Sequence, residues 1–254
     1  MRAALLAAAI LAAAAGGPPR RGIEPPPRIA VDSTPLAVPF APGERLEYLV
    51  KFGIFHVGHA EMQVAGIDTI RGEPTYHVIF AVHGAALWYS LTDTLESWFS
   101  VYDLTSRRFV QNNDEDGKFY RHHYDIYPDR GYFIQDDRDT LPTTAAPLDE
   151  MSFFYFARTI PLERDRTYEI ERYFRLDRNP VTLHVLGEAS VDVPAGRFDV
   201  IVIHPVFKSR GLFAEGGRAE VFLAADSTRI PVLIRSSVSS LGHLTISLRK
   251  RSSP

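Results

Sequence analysis

Residues 45–52 read Arg-Leu-Glu-Tyr-Leu-Val-Lys-Phe, and the fold class follows from their alternation. Leu46, Tyr48, Val50 and Phe52 fall on one side while Arg45, Glu47 and Lys51 fall on the other, the two-residue period of a strand with one face in a core. The same period recurs at Tyr76, Val78, Phe80 and Val82, and at Tyr168, Ile170 and Phe174. It returns at Val181, Leu183 and Val185, and again at Leu244, Ile246 and Leu248. Between these runs stand turn formers: Arg71-Gly72, Asp116-Gly117, Asp129-Arg130-Gly131, Ala195-Gly196, Glu215-Gly216-Gly217 and Asp226-Ser227. This punctuation predicts a mainly β domain, a single curved antiparallel sheet or barrel-like meander of about twelve strands.

Two features modify that plan. Phe198, Val200 and Val202 alternate with Ile201 and Ile203, so this stretch is apolar on both faces and requires a second layer. The sheet must then curl into a barrel or pack against itself, enclosing either a packed core or a cavity. Pro147–Thr159 breaks the period of two, with Asp149 and Glu150 where a first helical turn would meet the helix dipole and Met151, Phe154, Tyr155 and Arg158 at helical spacings. It predicts one short helix, buried across or at the mouth of the sheet. A curved sheet crossed by a helix resembles the lipoprotein-carrier type of fold.

The chain has 254 residues, 45% hydrophobic and 23% charged, enough to bury a large core without a staple. It has no cysteine, which excludes thiol nucleophiles, Cys-ligated zinc, iron–sulfur clusters, disulfides and an acylated lipoprotein cysteine. A net charge of -3 argues against a nucleic-acid partner. Residues 1–17 read as a signal peptide, Met1-Arg2 followed by an Ala/Leu/Ile run from Ala3 to Ala15 and then Gly16-Gly17. The run is too short for a spanning helix of about 20 residues, so the reading is cleavage, no permanent membrane anchor, and a periplasmic or secreted product. Residues 18–39 hold seven prolines and read as an extended linker, which leaves a β domain over residues 40–251.

Several fragments stand out by their order and spacing: Gly43-Glu44-x-Leu46-x-Tyr48 with Gly53 and Gly58, Asp93 and Ser97, and Leu148-Asp149 leading to Tyr155, Arg158 and Pro161. Val193-Pro194-Ala195-Gly196-x-Phe198 and Asp226-x-x-Arg229-Ile230-Pro231-Val232 complete the set. Together they resemble the DUF3108 family of bacterial exported proteins. The resemblance runs over about residues 40 to 250 and implies export and a mostly β fold, with no established reaction or site. Physically, Gly43 and Gly196 suit tight turns before strands, and Pro194 and Pro231 suit strand starts.

Chemistry-bearing patterns are sparse. His56 and His59 are three apart and diverge on a strand unless Gly58 bulges it, and the neighbours His122 and His123 diverge too. Asn112, Asp114, Asp116 and Gly117 follow calcium-loop spacing, but His123 occupies the twelfth position, so a polar hairpin tip is expected. Asp136, Asp137 and Asp139 read as a solvated loop. The metalloprotease, nucleophile-elbow, Walker and dinucleotide patterns are all absent, and neither cofactor nor metal is expected. An envelope hydrolase acting on glycan or peptide would draw on Asp93, Glu96 and a histidine. A structural or assembly module would use an exposed strand edge.

The strongest functional signal is apolar sequence where loops are normally polar, at residues 84–89 and 211–214. It predicts a non-catalytic module that binds a hydrophobic or amphiphilic envelope ligand, a lipid or glycolipid, or an envelope protein. Trp88, Tyr89, Phe154, Tyr155, Leu212 and Phe213 would line the opening. Lys208, Arg210 and Arg218 flank the second loop and suit an anionic headgroup.

Overall fold

A computed structural model describes residues 34–86, 89–115, 117–208, 219–238 and 242–253. The signal-peptide reading, most of the linker, and Trp88, Arg210, Leu212, Phe213 and Arg218 lie outside the described residues. The strands are β1 (Arg45–Phe52), β2 (Phe55–Ile70), β3 (Glu73–Ala86), β4 (Tyr89–Ser100), β5 (Ser106–Glu115), β6 (Lys118–Tyr127), β7 (Tyr132–Gln135) and β8 (Asp139–Pro142). After the helix α1 (Glu150–Ala157) follow β9 (Thr167–Ile170), β10 (Val181–Val193), β11 (Gly196–Val206), β12 (Ala219–Ala224), β13 (Pro231–Val238) and β14 (Gly242–Ser252).

All fourteen form one open antiparallel sheet in the order β8-β7-β6-β5-β4-β3-β2-β1-β14-β13-β12-β11-β10-β9. The count exceeds twelve because short strands form in stretches that carry little alternation. β7 and β8 make a hairpin around Asp136 and Asp137, both with positive φ, and Asp139 opens β8 instead of lying in the loop. The predicted turns at Arg71-Gly72, Gly117, Asp129–Gly131, Ala195 and Asp226-Ser227 all separate strands.

The chain starts in the middle of the sheet, walks outward to β8, crosses by way of α1 to the opposite margin at β9, and walks back to the middle. β8 and β9 do not pair with each other. The segment before α1 spans the gap instead. Ser106 N–H donates to Pro147 O at 2.8 Å, Phe174 N–H to Leu148 O at 2.9 Å, and Leu148 bridges Tyr173 in parallel. Thr143 Oγ1 adds a bond to Phe174 O at 2.7 Å.

The alternation is realised as burial. Leu46, Tyr48, Val50, Tyr76, Val78, Phe80, Val82, Val181, Leu183, Val185, Ile246 and Leu248 all lie in the core. From Val200 to Ile203 the doubly apolar stretch is buried on both faces, with Phe198 partly buried. Register sets Ile203, Val221 and Ile234 in one row and Val202, Phe222 and Leu233 in the next, every one of them in the core. The β10–β11 turn also reaches β14, Ala195 N–H donating to Leu248 O at 3.0 Å. Within the core, Phe40, Tyr76, Phe99 and Tyr155 pack edge-on or tilted, with centroids 4.8 to 6.3 Å apart. Each such pair adds about 0.5–1.5 kcal/mol beyond its buried area. Contacts with the body begin before Phe40, since Leu36 N–H donates to Val101 O and Val38 packs on the core.

Candidate functional site

The helix is seated by the residue that precedes it. Asp149 is its N-cap, and Oδ1 accepts from the N–H groups of Met151 and Ser152 at 2.8 and 2.9 Å. Oδ2 accepts from Ser97 Oγ of β4 and Ser106 Oγ of β5, both at 2.6 Å. Ser152 Oγ in turn accepts from Asp149 N–H at 2.8 Å, closing a capping box. One carboxylate thus satisfies the helix start and fastens it to the sheet, and burial pushes that carboxyl up against the pull of its four donors.

The next residue is less completely partnered. Glu150 is only 7% exposed, and Oε1 accepts a short hydrogen bond from Tyr173 OH. Arg178 Nη1 lies 3.5 Å from the same phenol, so a buried cation and a buried carboxylate face each other across a hydroxyl. Glu150 Oε2 has no hydrogen-bond partner among the described residues, and neither does Nε2 of buried Gln111. Gln111 belongs to the inward row, opposite Leu95 on one side and His122 on the other. Tyr124, two residues along from His122, feels the charge of Glu150, and burial together with that charge pushes its phenol up to about 12. A buried polar atom left unpaired costs about 1–3 kcal/mol, so this region holds unmet hydrogen-bonding capacity.

Burial also raises the Glu150 carboxyl, opposed by the Tyr173 bond. A raised native value favours the folded state in its protonated form. That contribution is complete below the unfolded value of about 4.3 and is lost as pH rises through the native value. Unfolding free energy should therefore decline from pH 5 to pH 8, and Glu150→Gln should flatten the decline, with Asp149 supplying the remainder. Urea titrations at both pH values measure it, and equal slopes in the two proteins would refute the assignment to Glu150.

Away from α1 the inward row turns polar. Ser97 pairs with Phe109, Leu95 with Gln111, and Asp93 with Asn113, in the direction of the β4–β5 ends at Leu91 and Glu115. At that end lie the strand ends Phe52/Phe55, Ala86/Tyr89, Glu115/Lys118 and Val238/Gly242. Two of these hairpins carry exposed apolar residues: Ile54 at 85% and Phe55 at 68%, Phe119 at 66% and Tyr120 at 54%. The apolar stretch at residues 84–89 borders the same end, since β3 finishes at Ala86 and β4 starts at Tyr89. Ile54, Phe55, Phe119 and Tyr120 escape a reading of the sequence because a short apolar pair beside a turn looks like an ordinary strand end.

Tyr155 and Phe154 belong to the interior. Tyr155 is buried among Phe40 and Phe99, and burial holds its phenol well above the usual range, while Phe154 packs partly buried beside Phe153. Lys208 is exposed and donates to Asn179 O at 2.5 Å, close in sequence to Arg178. Asp93 and Glu96 stand on opposite faces of β4. Asp93 is buried opposite Val82, while Glu96 is opposite Ile79 and bonds His77 Nε2 at 3.1 Å. They therefore do not form the paired carboxylates that a hydrolase would need, because residues three apart on a strand diverge. His77, between Glu96 and Asp68, stacks on Trp98 at 4.2 Å on that other face.

His56 and His59 depart from the same rule. The β1–β2 register skips Val57, so His56 is opposite Lys51 and His59 opposite Leu49, and the two imidazoles share a face. His59 stacks on His83 with centroids 5.0 Å apart.

The opposite end of the sheet is structural. Arg158, the C-cap of α1, makes a buried bidentate pair with Glu44 at 2.7 and 2.8 Å and donates to Thr228 O and Pro39 O. Tyr48 OH donates to Pro231 O at 2.9 Å. A shallow surface cavity of about 210 Å³ near Arg71 and Tyr127 lies on this side, and its guanidiniums are engaged. Arg107 pairs with Glu73 at 2.6 and 2.8 Å, and Arg71 donates to backbone carbonyls.

Among the described residues, no helix is long and apolar enough to cross a membrane. The sequence model of the DUF3108 family, described as protein of unknown function, matches residues 47–249. No curated protein matches the chain. Among solved structures, a β-barrel-like protein of the domain of unknown function DUF1849 from Brucella abortus is similar at 12% identity, over 86% of this chain and 100% of that one, with a TM-score of 0.54. A lipoprotein candidate from Parabacteroides distasonis aligns at 8% identity over 85% and 98% of the two chains, with a TM-score of 0.35. A candidate exported protein with a YmcC-like fold from Bacteroides fragilis aligns at 10% identity over 87% and 100%, with a TM-score of 0.30. The first of these shows a shared barrel-like fold.

Proposed function

The chain belongs to the DUF3108 family of proteins of unknown function, and from that premise we propose that it is a non-catalytic module of the cell envelope. It binds a hydrophobic or amphiphilic molecule, or an apolar partner surface, at the hairpin-tip end of its sheet. The observation that carries this reading is the exposure of Ile54 and Phe55 on one hairpin and of Phe119 and Tyr120 on another at the same end. Isolated exposed apolar residues need no explanation, but adjacent pairs repeated on separate tips are a contact surface. The inward row and the start of α1 supply the polar half of an amphiphile's requirements. Gln111 Nε2 offers a donor and Glu150 Oε2 an acceptor, both buried and unpartnered among the described residues.

The envelope location rests on the signal-like residues 1–17, and Trp88, Leu212 and Phe213 are further candidates for the contact from sequence alone. β8 and β9 at the sheet margins have four residues each, but β9 pairs only with Val181–His184 of β10, so the assembly reading keeps an edge along the rest of that strand.

Native mass spectrometry of the mature protein, released from its own cells without detergent, tests the proposal. The expected result is an added mass that extracts into organic solvent and disappears in Phe55→Asp, whose urea midpoint stays at the wild-type value. A bare mass, with no adduct after incubation with vesicles of envelope lipid, would overturn it.

A further inference from the structure

On the face of β6 opposite Tyr124 and Ile126, His123 and Asp125 stand two residues apart and so point the same way. His123 Nε2 and Asp125 Oδ2 are 3.6 Å apart. Asp137, from the β7–β8 turn, completes a group in which one donor atom from each of the three residues lies within 4.8 Å of the others. The turn is clamped at the same place, Asp136 N–H donating to His123 O and Asp136 Oδ1 accepting from His123 N–H, both at 2.8 Å. Asp125 is oriented from behind. Its Oδ1 accepts from Arg108 Nε at 2.9 Å and from Arg71 Nη1 at 3.2 Å, with Arg108 Nη2 also 2.9 Å away, which leaves Oδ2 directed toward His123.

We propose that His123, Asp125 and Asp137 form an open three-ligand site for a divalent transition metal ion. One imidazole and two carboxylates suit zinc, with a fourth position left for water or a partner's side chain. The arrangement has the parts such sites use: ligands two apart on a rigid strand, a third from a turn, and an outer pair of guanidiniums that orients one carboxylate. Arg71 and Arg108 also offset part of the negative charge, so binding is weaker than at an all-carboxylate or thiolate site. The site lies on the opposite face of the sheet from the inward row and is independent of the envelope-ligand proposal. The divergence of His122 and His123 anticipated from sequence is real, His122 turning to Asp136 at 3.2 Å. The partner that matters to His123 is the residue two along.

Calorimetric titration of the full chain with zinc alone, checked by competition against a chromophoric chelator, tests the site. Wild type should bind one equivalent. His123→Gln and Asp137→Asn should each weaken binding by about 100-fold, and Arg108→Met by about 10-fold through loss of orientation. His59→Gln, which breaks the exposed His59–His83 stack, should bind like wild type. Zinc should also move the NMR signals of the His123 ring in the wild-type protein. Absence of saturable binding, wild-type affinity in His123→Gln or Asp137→Asn, or loss of binding in His59→Gln would each overturn the assignment.

Discussion

Replacing Arg158 by Met is expected to cost about 3–5 kcal/mol of stability, the loss typical when one partner of a buried ion pair is removed. The side chain joins parts of the chain that are remote in sequence: Glu44 before β1, Pro39 upstream of it, and Thr228 in the β12–β13 turn. Its guanidinium also sits over the Phe40 and Tyr155 rings, at 5.3 Å from each centroid. Methionine fills much of the same volume but strands the Glu44 carboxylate in the core and leaves two backbone carbonyls unpaired. Urea denaturation at pH 7 measures the loss. The double variant Glu44→Leu/Arg158→Met separates the causes, because with both charges gone most of the stability should return. If the double variant is no more stable than Arg158→Met, the stranded charge is not the source of the cost.

The second large effect is expected at Gly58. A Cβ added there would lie 2.1 Å from His83 O and 2.8 Å from the Gly84 Cα, contacts with backbone that no rotamer can relieve. Gly58→Ala must therefore push β2 and β3 apart where Gly58 and Gly84 are opposite each other, beside the Val57 bulge. The expected cost is about 3 kcal/mol, the upper end for overpacking. At Gly66, in the same strand, an added Cβ would meet nothing within 4 Å, and Gly66→Ala should stay within about 0.5 kcal/mol of wild type. The two urea midpoints make the comparison. Equal midpoints would mean that the strands part easily at Gly58 and that close approach there is not required.

Alternation carried most of the fold, because burial of one strand face leaves its mark on every second residue, and Asp149 announced the helix through its acidic first turn. The interior network left no such mark. Glu44 and Arg158 are 114 residues apart and Tyr48 and Pro231 are 183 apart, so their pairing depends on a topology that no local pattern encodes. Strand parity shows how far residue spacing reaches. It separates Asp93 from Glu96 as it should, and it fails for His56 and His59 because one skipped residue, Val57, reverses every face beyond it. The exposed tips at Phe55 and Phe119 were equally hidden, since a turn-adjacent aromatic reads the same whether its side chain is covered or bare.

The pairing of β1 with β14 places the largest sequence separation in the fold, Arg45 beside Ser252, at the centre of the sheet. A chain made from its N-terminus can zip β1 to β8 as one run of local hairpins and β9 to β14 as another. The two halves merge only when β14 has been made, and until then β1 presents an unpaired edge. Loop closure over so long a span is slow, so the seam between the halves is expected to form last during refolding. It is also the place where a half-finished chain is most exposed to wrong strand partners.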